Sequence, residues 1–329
     1  MRPHHAELVG NDAALAAFKD MRAQFQLTPL ASVDPQTLKT WRPKKFLWQR
    51  LLPLLGRQAG LKSKLSQVDG HRLHYWAGGC AAGPVVVLLH GFGSSKENWA
   101  YLTAKLSKTY RLLVPDIPGF GQSDFIFDAD YRLAAQADRL AQWLKDLGVD
   151  RAHFVGSSMG GAIAAQIAAR HPGLMNKLCL MNAAGVPGKH LTQLESGLAA
   201  GVNYLAPSQA KDAWQVFAIA LHPQRRWLGL AFAFLMGSAM SHRKVLNDFL
   251  FGSLVESLAD TFIQLPSIGA PTLVLWGDSD QVLDVSCADG FCERIPNAKA
   301  MILPAVGHLP MLEVPGLTAR LLHDFWCAN

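Results

Sequence analysis

A succession of short, wholly apolar runs separated by stretches with helical spacing leaves this chain few folds. The first clear run, Pro84-Val-Val-Val-Leu-Leu89, shows no polar and apolar alternation, as expected of a strand buried on both faces of a sheet. After it the pattern predicts a helix near 98–107, a strand at 111–114, a helix at 131–147, a strand at 152–155, a helix at 158–169 and a strand at 177–181. The same alternation resumes with a strand at 271–276, a helix near 286–295, a strand at 300–303 and a helix at 317–326. Strand and helix in regular turn specify an α/β fold, a mostly parallel, doubly wound sheet. A hairpin over 65–76, turning at Asp69-Gly70, precedes it.

Between 186 and 265 the alternation stops. Leu198, Val202 and Leu205, then Phe217 and Leu221, then Leu228, Phe232 and Leu235 recur at helical spacing, so this stretch reads as an inserted helical cap. The expected organisation is an extension over 1–64, a core formed by 65–185 with 266–329, and the cap over 186–265. Half the residues are apolar and 17% are charged, which excludes a disordered chain. The formal charge of +6 is local: residues 35–68 hold eight Lys/Arg and no Asp/Glu. A nucleic-acid partner is therefore not expected.

The sharpest local signal is Phe154-Val-Gly-Ser-Ser-Met-Gly-Gly161, a strand followed by Gly156-x-Ser158-x-Gly160 and an Ala-rich helix. A serine held on a tight strand-to-helix turn needs very small residues two positions to either side, because the flanking backbone passes close by. That frame selects Ser158. For Ser157 the same positions would be Val155 and Met159. A serine hydroxyl needs a base, and the base needs an orienting carboxylate. Gly277-Asp-Ser-Asp280 after one strand and Gly307-His308 after the next supply both, at strand ends where an open parallel sheet places its site. Asp280 competes with Asp278 and Asp284; it lies beyond the turn that Asp278 would make. Oxyanion donors are expected from the N–H groups of Phe92, in His90-Gly-Phe-Gly93, and of Met159, whereas His90 and Asp116 read as structural.

With these motifs together, the chain from about 65 to 326 resembles an α/β-hydrolase-fold serine hydrolase. HGFG at 90–93, DIPGFGQSD at 116–124, GSSMGG at 156–161, WGDSDQVLDVS at 276–286 and GH at 307–308 occur in that family's order. KENW at 96–99 and DQVLDVSCAD at 280–289 are similar to monoacylglycerol lipases and bacterial lipases of the family. The resemblance implies a Ser158–Asp280–His308 triad, no cofactor, and cleavage of monoacylglycerol-like or other medium- to long-chain acyl esters through an acyl-enzyme. A C–C bond hydrolase, a cofactor-free haloperoxidase and a thioesterase share this triad. A hydrolase-fold binding protein that has lost catalysis is the non-enzymatic alternative.

The expected acyl pocket lies in the cap, from Trp214, Phe217, Trp227, Phe232, Phe234, Met236 and Met240, which equally serve to glue cap to core. Residues 40–64 mix seven Lys/Arg with Trp41, Phe46, Trp48 and several leucines. They read either as a contact with an anionic membrane or as leucines packed on the core beneath a solvated basic face. Five cysteines without metal-ligand spacing imply neither a disulfide framework nor a metal site. The most apolar run, 227–240, is short for a span, and Glu7 and Asp12 interrupt any signal peptide. The expectation is a cytoplasmic enzyme, peripheral at the inner membrane surface, acting on a small-molecule acyl ester. No oligomeric state follows from the sequence.

Overall fold

The computed structural model of the chain describes residues 12–20, 23, 33–44, 46 and 52–328. Lys45, Trp48, Arg50 and Leu51, which the membrane reading of 40–64 invokes, lie outside the described residues. Eight strands form one sheet: β1 (Leu61–Val68), β2 (His71–Gly79), β3 (Val85–Leu89), β4 (Arg111–Pro115), β5 (Ala152–Ser157), β6 (Met175–Met181), β7 (Thr272–Gly277) and β8 (Ala298–Leu303). Their order is β1-β2-β4-β3-β5-β6-β7-β8. Strand β2 runs antiparallel to both its neighbours, and the remaining pairs are parallel. Asp69 and Gly70 both take positive φ, 46° and 76°, which gives the two-residue β1–β2 turn the twist a hairpin needs.

Helices α1 (Ala100–Leu106), α2 (Leu133–Asp146) and α3 (Met159–Arg170) connect the first parallel strands. Between β6 and β7, in what we call the cap segment, lie α4 (Gln193–Ala199), α5 (Ala213–Ala220), α6 (Arg226–His242) and α7 (Lys244–Gln264). The chain closes with α8 (Cys287–Arg294) and α9 (Pro315–Cys327). Alternate residues of the buried strands serve opposite layers. Val87 and Leu89 face a core built with α2, α3, α7 and α8, whereas Val86 and Leu88 face one built with α1 and α9.

The expected cap over 186–265 is not one body. Leu246, Leu250, Phe251, Leu254, Leu258 and Phe262 of α7 are buried in the main core, and Ser257 Oγ accepts a hydrogen bond from the Leu133 N–H at 3.1 Å. Helix α7 thus packs on α2 and α3, because its apolar residues find a better-buried surface there than above the sheet. The polar helix over 12–20 is likewise anchored to α7, through Phe18 set edge-on against Phe262. No helix among the described residues is long and apolar enough to cross a membrane.

Candidate active site

Strand β5 runs to Ser157, and α3 begins at Met159, so Ser158 alone makes the turn, with φ 54° and ψ −120°. A non-glycine residue at positive φ is strained, and the local packing shows what holds it there. A Cβ on Gly156 would stand 2.2 Å from the Gly160 carbonyl oxygen, and one on Gly160 would stand 2.2 Å from that of Leu89. The two glycines therefore let β5, α3 and the end of β3 close on each other around Ser158. Ser157 is fully buried within the sheet.

The β7–α8 and β8–α9 loops bring Asp280 and His308 together. His308 Nδ1 donates to Asp280 Oδ2 at 2.7 Å, which leaves Nε2 as the ring's free nitrogen. The same carboxylate oxygen accepts from Asn182 Nδ2 at 2.7 Å, while Oδ1 accepts from the N–H groups of Val282 and Leu283 at 2.7 and 3.0 Å. The competitors are engaged elsewhere: exposed Asp278 accepts from Ser279 Oγ, and Asp284 accepts from the Ser286 N–H ahead of α8. Ser158 Oγ has no hydrogen-bond partner among the described residues, and in unliganded hydrolases this bond often forms only with substrate.

The histidine loop is clamped to the cap segment. The His308 N–H donates to the Ala220 carbonyl at 2.7 Å. Buried Glu313 accepts from the Gly307 N–H at 2.8 Å and from the His222 N–H at 3.0 Å, and Arg225 donates to the Ala305 carbonyl. Burial raises the Glu313 carboxyl above the usual range, against these amide bonds and the Arg225 charge. The sequence carries no local pattern that marks Glu313 or Asn182, since the bonds that tie Glu313 to His222 and Asn182 to Asp280 span more than ninety residues.

The loop after β3 passes directly beside Ser158: a Cβ on Gly91 would stand 3.2 Å from Ser158 Cβ. Neither the Phe92 nor the Met159 N–H has an acceptor among the described residues, and both residues are buried. His90 Nε2 accepts from the Ile117 N–H at 3.0 Å and Nδ1 donates to the Gly91 carbonyl at 2.8 Å, an arrangement available only to the neutral ring. Burial pulls its pKa down to about 4. Beneath it, Asp116 accepts from the Lys96 N–H and ammonium, both at 2.7 Å, and from the Gln122 N–H at 2.9 Å. Lys96 also pairs with Glu97 at 2.9 Å, so KENW serves as a buried brace for this loop.

The seven residues expected to line an acyl pocket are not gathered into one. Phe217 and Phe232 stack on each other at 6.0 Å, whereas Trp214, Trp227 and Phe234 are 49%, 68% and 89% exposed; Met236 and Met240 are half-buried. Apolar character alone does not tell a cap residue which neighbour it will meet. The apolar side chains that do border the Asp280 and His308 loops are Leu194, Ile219, Ala220 and Val282, with Leu205 and Leu309 at their edge. A groove of about 620 Å³ lies elsewhere, lined by Asp69, Asp128, Asp130, Asp138 and Arg139. Among the described residues no group of His, Cys, Asp or Glu has the grouping to hold a metal ion.

Comparison with known proteins agrees with this geometry. Residues 84–213 match the family model described as the alpha/beta hydrolase fold. Lipase 3 of Moraxella sp. (strain TA144) is 29% identical over 78% of this chain and 81% of its own length. Monoacylglycerol lipase abhd6-B of Xenopus laevis is 30% identical over 85% and 84%. Among solved structures, a bacterial membrane phospholipase A described as a virulence factor superposes with a TM-score of 0.75 at 33% identity, covering 88% of this chain and 91% of that one. The chain belongs to the α/β-hydrolase family. Within it the protein is an enzyme of the esterase and lipase kind, a hydrolase of lipid esters.

Proposed function

We propose that this enzyme cleaves monoacylglycerol-like or other medium- to long-chain acyl esters through an acyl-enzyme on Ser158. The observations that carry this reading are the Asp280–His308 hydrogen bond, formed by the loops after β7 and β8, and a strained serine at the β5–α3 turn of the same sheet. With Nδ1 committed to Asp280, His308 Nε2 takes the Ser158 proton as Oγ attacks the ester carbonyl. The Phe92 and Met159 amides hold the oxyanion, the protonated imidazole passes its proton to the leaving alcohol, and water activated by the same nitrogen releases the acid. Asp280 keeps the ring in the tautomer this requires. The apolar wall for the acyl chain comes from Leu194 and Ile219 of the cap segment with Val282 of the β7–α8 loop and Leu309 of the β8–α9 loop.

A fluorophosphonate probe should label the wild type and leave Ser158→Ala unlabelled. Hydrolysis of p-nitrophenyl esters from two to sixteen carbons, with a monoacylglycerol and an acyl-CoA alongside, should favour long acyl chains and oxygen esters. An unlabelled wild type would sink the enzyme mechanism, and acyl-CoA as the best substrate would favour the thioesterase alternative. The enzyme works in contact with an anionic membrane surface. Support comes from α6, whose outer face exposes Trp227, Leu230, Phe234 and Leu235, in a stretch from 213 to 247 that has basic residues and no Asp or Glu. Cosedimentation with phosphatidylglycerol vesicles measures this contact.

A further inference from the structure

His308 stands where the cap segment meets the sheet. On the sheet side its loop is held by the Ser279 N–H, which donates to the Val306 carbonyl at 2.9 Å. From Gly307 onward the backbone turns to the cap segment instead. The His308 N–H donates to the Ala220 carbonyl at 2.7 Å. A Cβ on Gly307 would lie 2.6 Å from that same oxygen and 2.9 Å from the His222 nitrogen, so a larger residue would drive the two backbones apart. Glu313 closes the contact: Oε1 accepts from the Gly307 N–H at 2.8 Å and Oε2 from the His222 N–H at 3.0 Å. Its side chain is fully buried, with the Arg225 guanidinium 3.7 Å away. Arg225 in turn donates to the carbonyl of Ala305, a residue held at φ 53°.

Two converging N–H donors, one from each side, need an acceptor at both oxygens and a donor at neither, which a carboxylate provides and a carboxamide does not. Filling space alone would not require a charge to be buried. Ala220, which holds the His308 backbone, follows Ile219, and both belong to the apolar group that borders the site. An acyl chain laid against that wall therefore bears on the stretch to which Glu313 ties the histidine loop. We propose that Glu313 is a positioning residue that couples the cap segment to His308, so that an acyl chain seated on the wall fixes the imidazole and raises kcat rather than only lowering KM. Binding energy remote from the scissile bond reaches the chemical step in this way. The proposal rests on the reading of His308 as the general base of ester cleavage.

The test measures kcat and KM for p-nitrophenyl acetate and octanoate with the full chain, its Glu313→Gln and Arg225→Met variants, and His308→Ala. In the wild type kcat should be about tenfold higher for octanoate. Glu313→Gln turns an amino group toward one of the two amide donors and should release the coupling: kcat falls about 100-fold for octanoate and about tenfold for acetate, so their ratio approaches one. KM should still fall with chain length, because the apolar wall is intact. Should that variant fail to fold, Arg225→Met, altered at a partly exposed side chain, carries the same comparison, and its ratio should also move toward one. A wild-type kcat ratio near one, or a Glu313→Gln loss equal for both esters, as a merely structural role would give, would overturn the proposal and leave ester cleavage standing. Wild-type rates in His308→Ala would instead remove the reading on which it rests.

Discussion

Asp280 accepts hydrogen bonds from two backbone amides, one carboxamide and one imidazole, and each of its oxygens is saturated. A carboxylate so placed holds Oδ2 between Asn182 and His308, and that fixes the ring. An amide in its place would keep the shape yet offer the imidazole a donor or a weaker acceptor. Asp280→Asn should therefore lower kcat by about 10³- to 10⁴-fold while the melting temperature changes little, as ester turnover and thermal denaturation would show. Ser157→Ala should stay within a few fold of wild type, since that hydroxyl lies inside the sheet; equal losses at Ser157→Ala and Ser158→Ala would refute the assigned frame. Ser158 and its flanking glycines were legible because local sterics dictate them over five residues. Glu313 and Asn182 were not, because a buried acceptor or a bracing carboxamide is defined by partners distant in sequence, and no periodicity announces it.

At the scale of elements, the β5–α3 junction depends on backbone passing against backbone. A Cβ on Gly156 meets the Gly160 carbonyl and the Gly161 Cα at 2.2 and 2.6 Å, with no flexible side chain to yield. Gly156→Ala should cost about 3 kcal/mol or more and abolish activity, whereas Gly173→Ala, where nothing lies within 4 Å, should leave both unchanged. Comparable urea midpoints for the two variants would contradict this account. Strands and helices of the sheet were readable because burial on both faces imposes continuous apolar runs. Helix α7 was harder: its apolar residues show helical spacing, but spacing says only that one face is buried. That the face lies on α2 and α3, and that α6 instead turns an apolar face outward, follows from three-dimensional competition for the same surface.

For the whole molecule, two buried histidines tie stability to pH. Burial lowers His90 to about 4, and burial with the Lys177 charge lowers His153 to about 4, where it stacks on Trp326. Depressed histidines mean that the unfolded chain binds protons the folded chain refuses. Their contribution is complete above about pH 6.5 and declines as pH falls toward 4, so by pH 5 the loss is on the order of 2 kcal/mol for each. Burial raises Glu97 and Glu313 above the usual carboxylate range, which acts in the opposite sense nearer pH 5 and below. The urea midpoint should fall between pH 6.5 and 5; a flat profile there would refute the assignment of neutral buried rings.

The surface that would meet a membrane also belongs to the molecule as a whole, since it joins two distant segments. Trp41 stacks on His242 at the end of α6 and donates through Nε1 to the His242 carbonyl at 3.3 Å, which sets exposed Lys39, Arg42 and Lys44 near the C-terminal end of that helix. Aromatic residues that enter the headgroup region, next to cations that attract it, are the combination an interfacial helix needs. At about 1 kcal/mol per basic residue, the charges contribute less than the burial of Trp227 and Phe234, whose apolar area is larger. Two variants then separate the contributions. Trp227→Ser with Phe234→Ser should weaken binding to phosphatidylglycerol vesicles more than tenfold without lowering the melting temperature, because both side chains are already in water. Charge reversal at Arg42 and Lys44 should weaken it less and flatten its dependence on salt between 50 and 500 mM. Vesicle binding that survives the serine double variant would move the contact away from α6, and a dimer in wild-type sedimentation that dissociates in that variant would assign the face to a second copy of the chain.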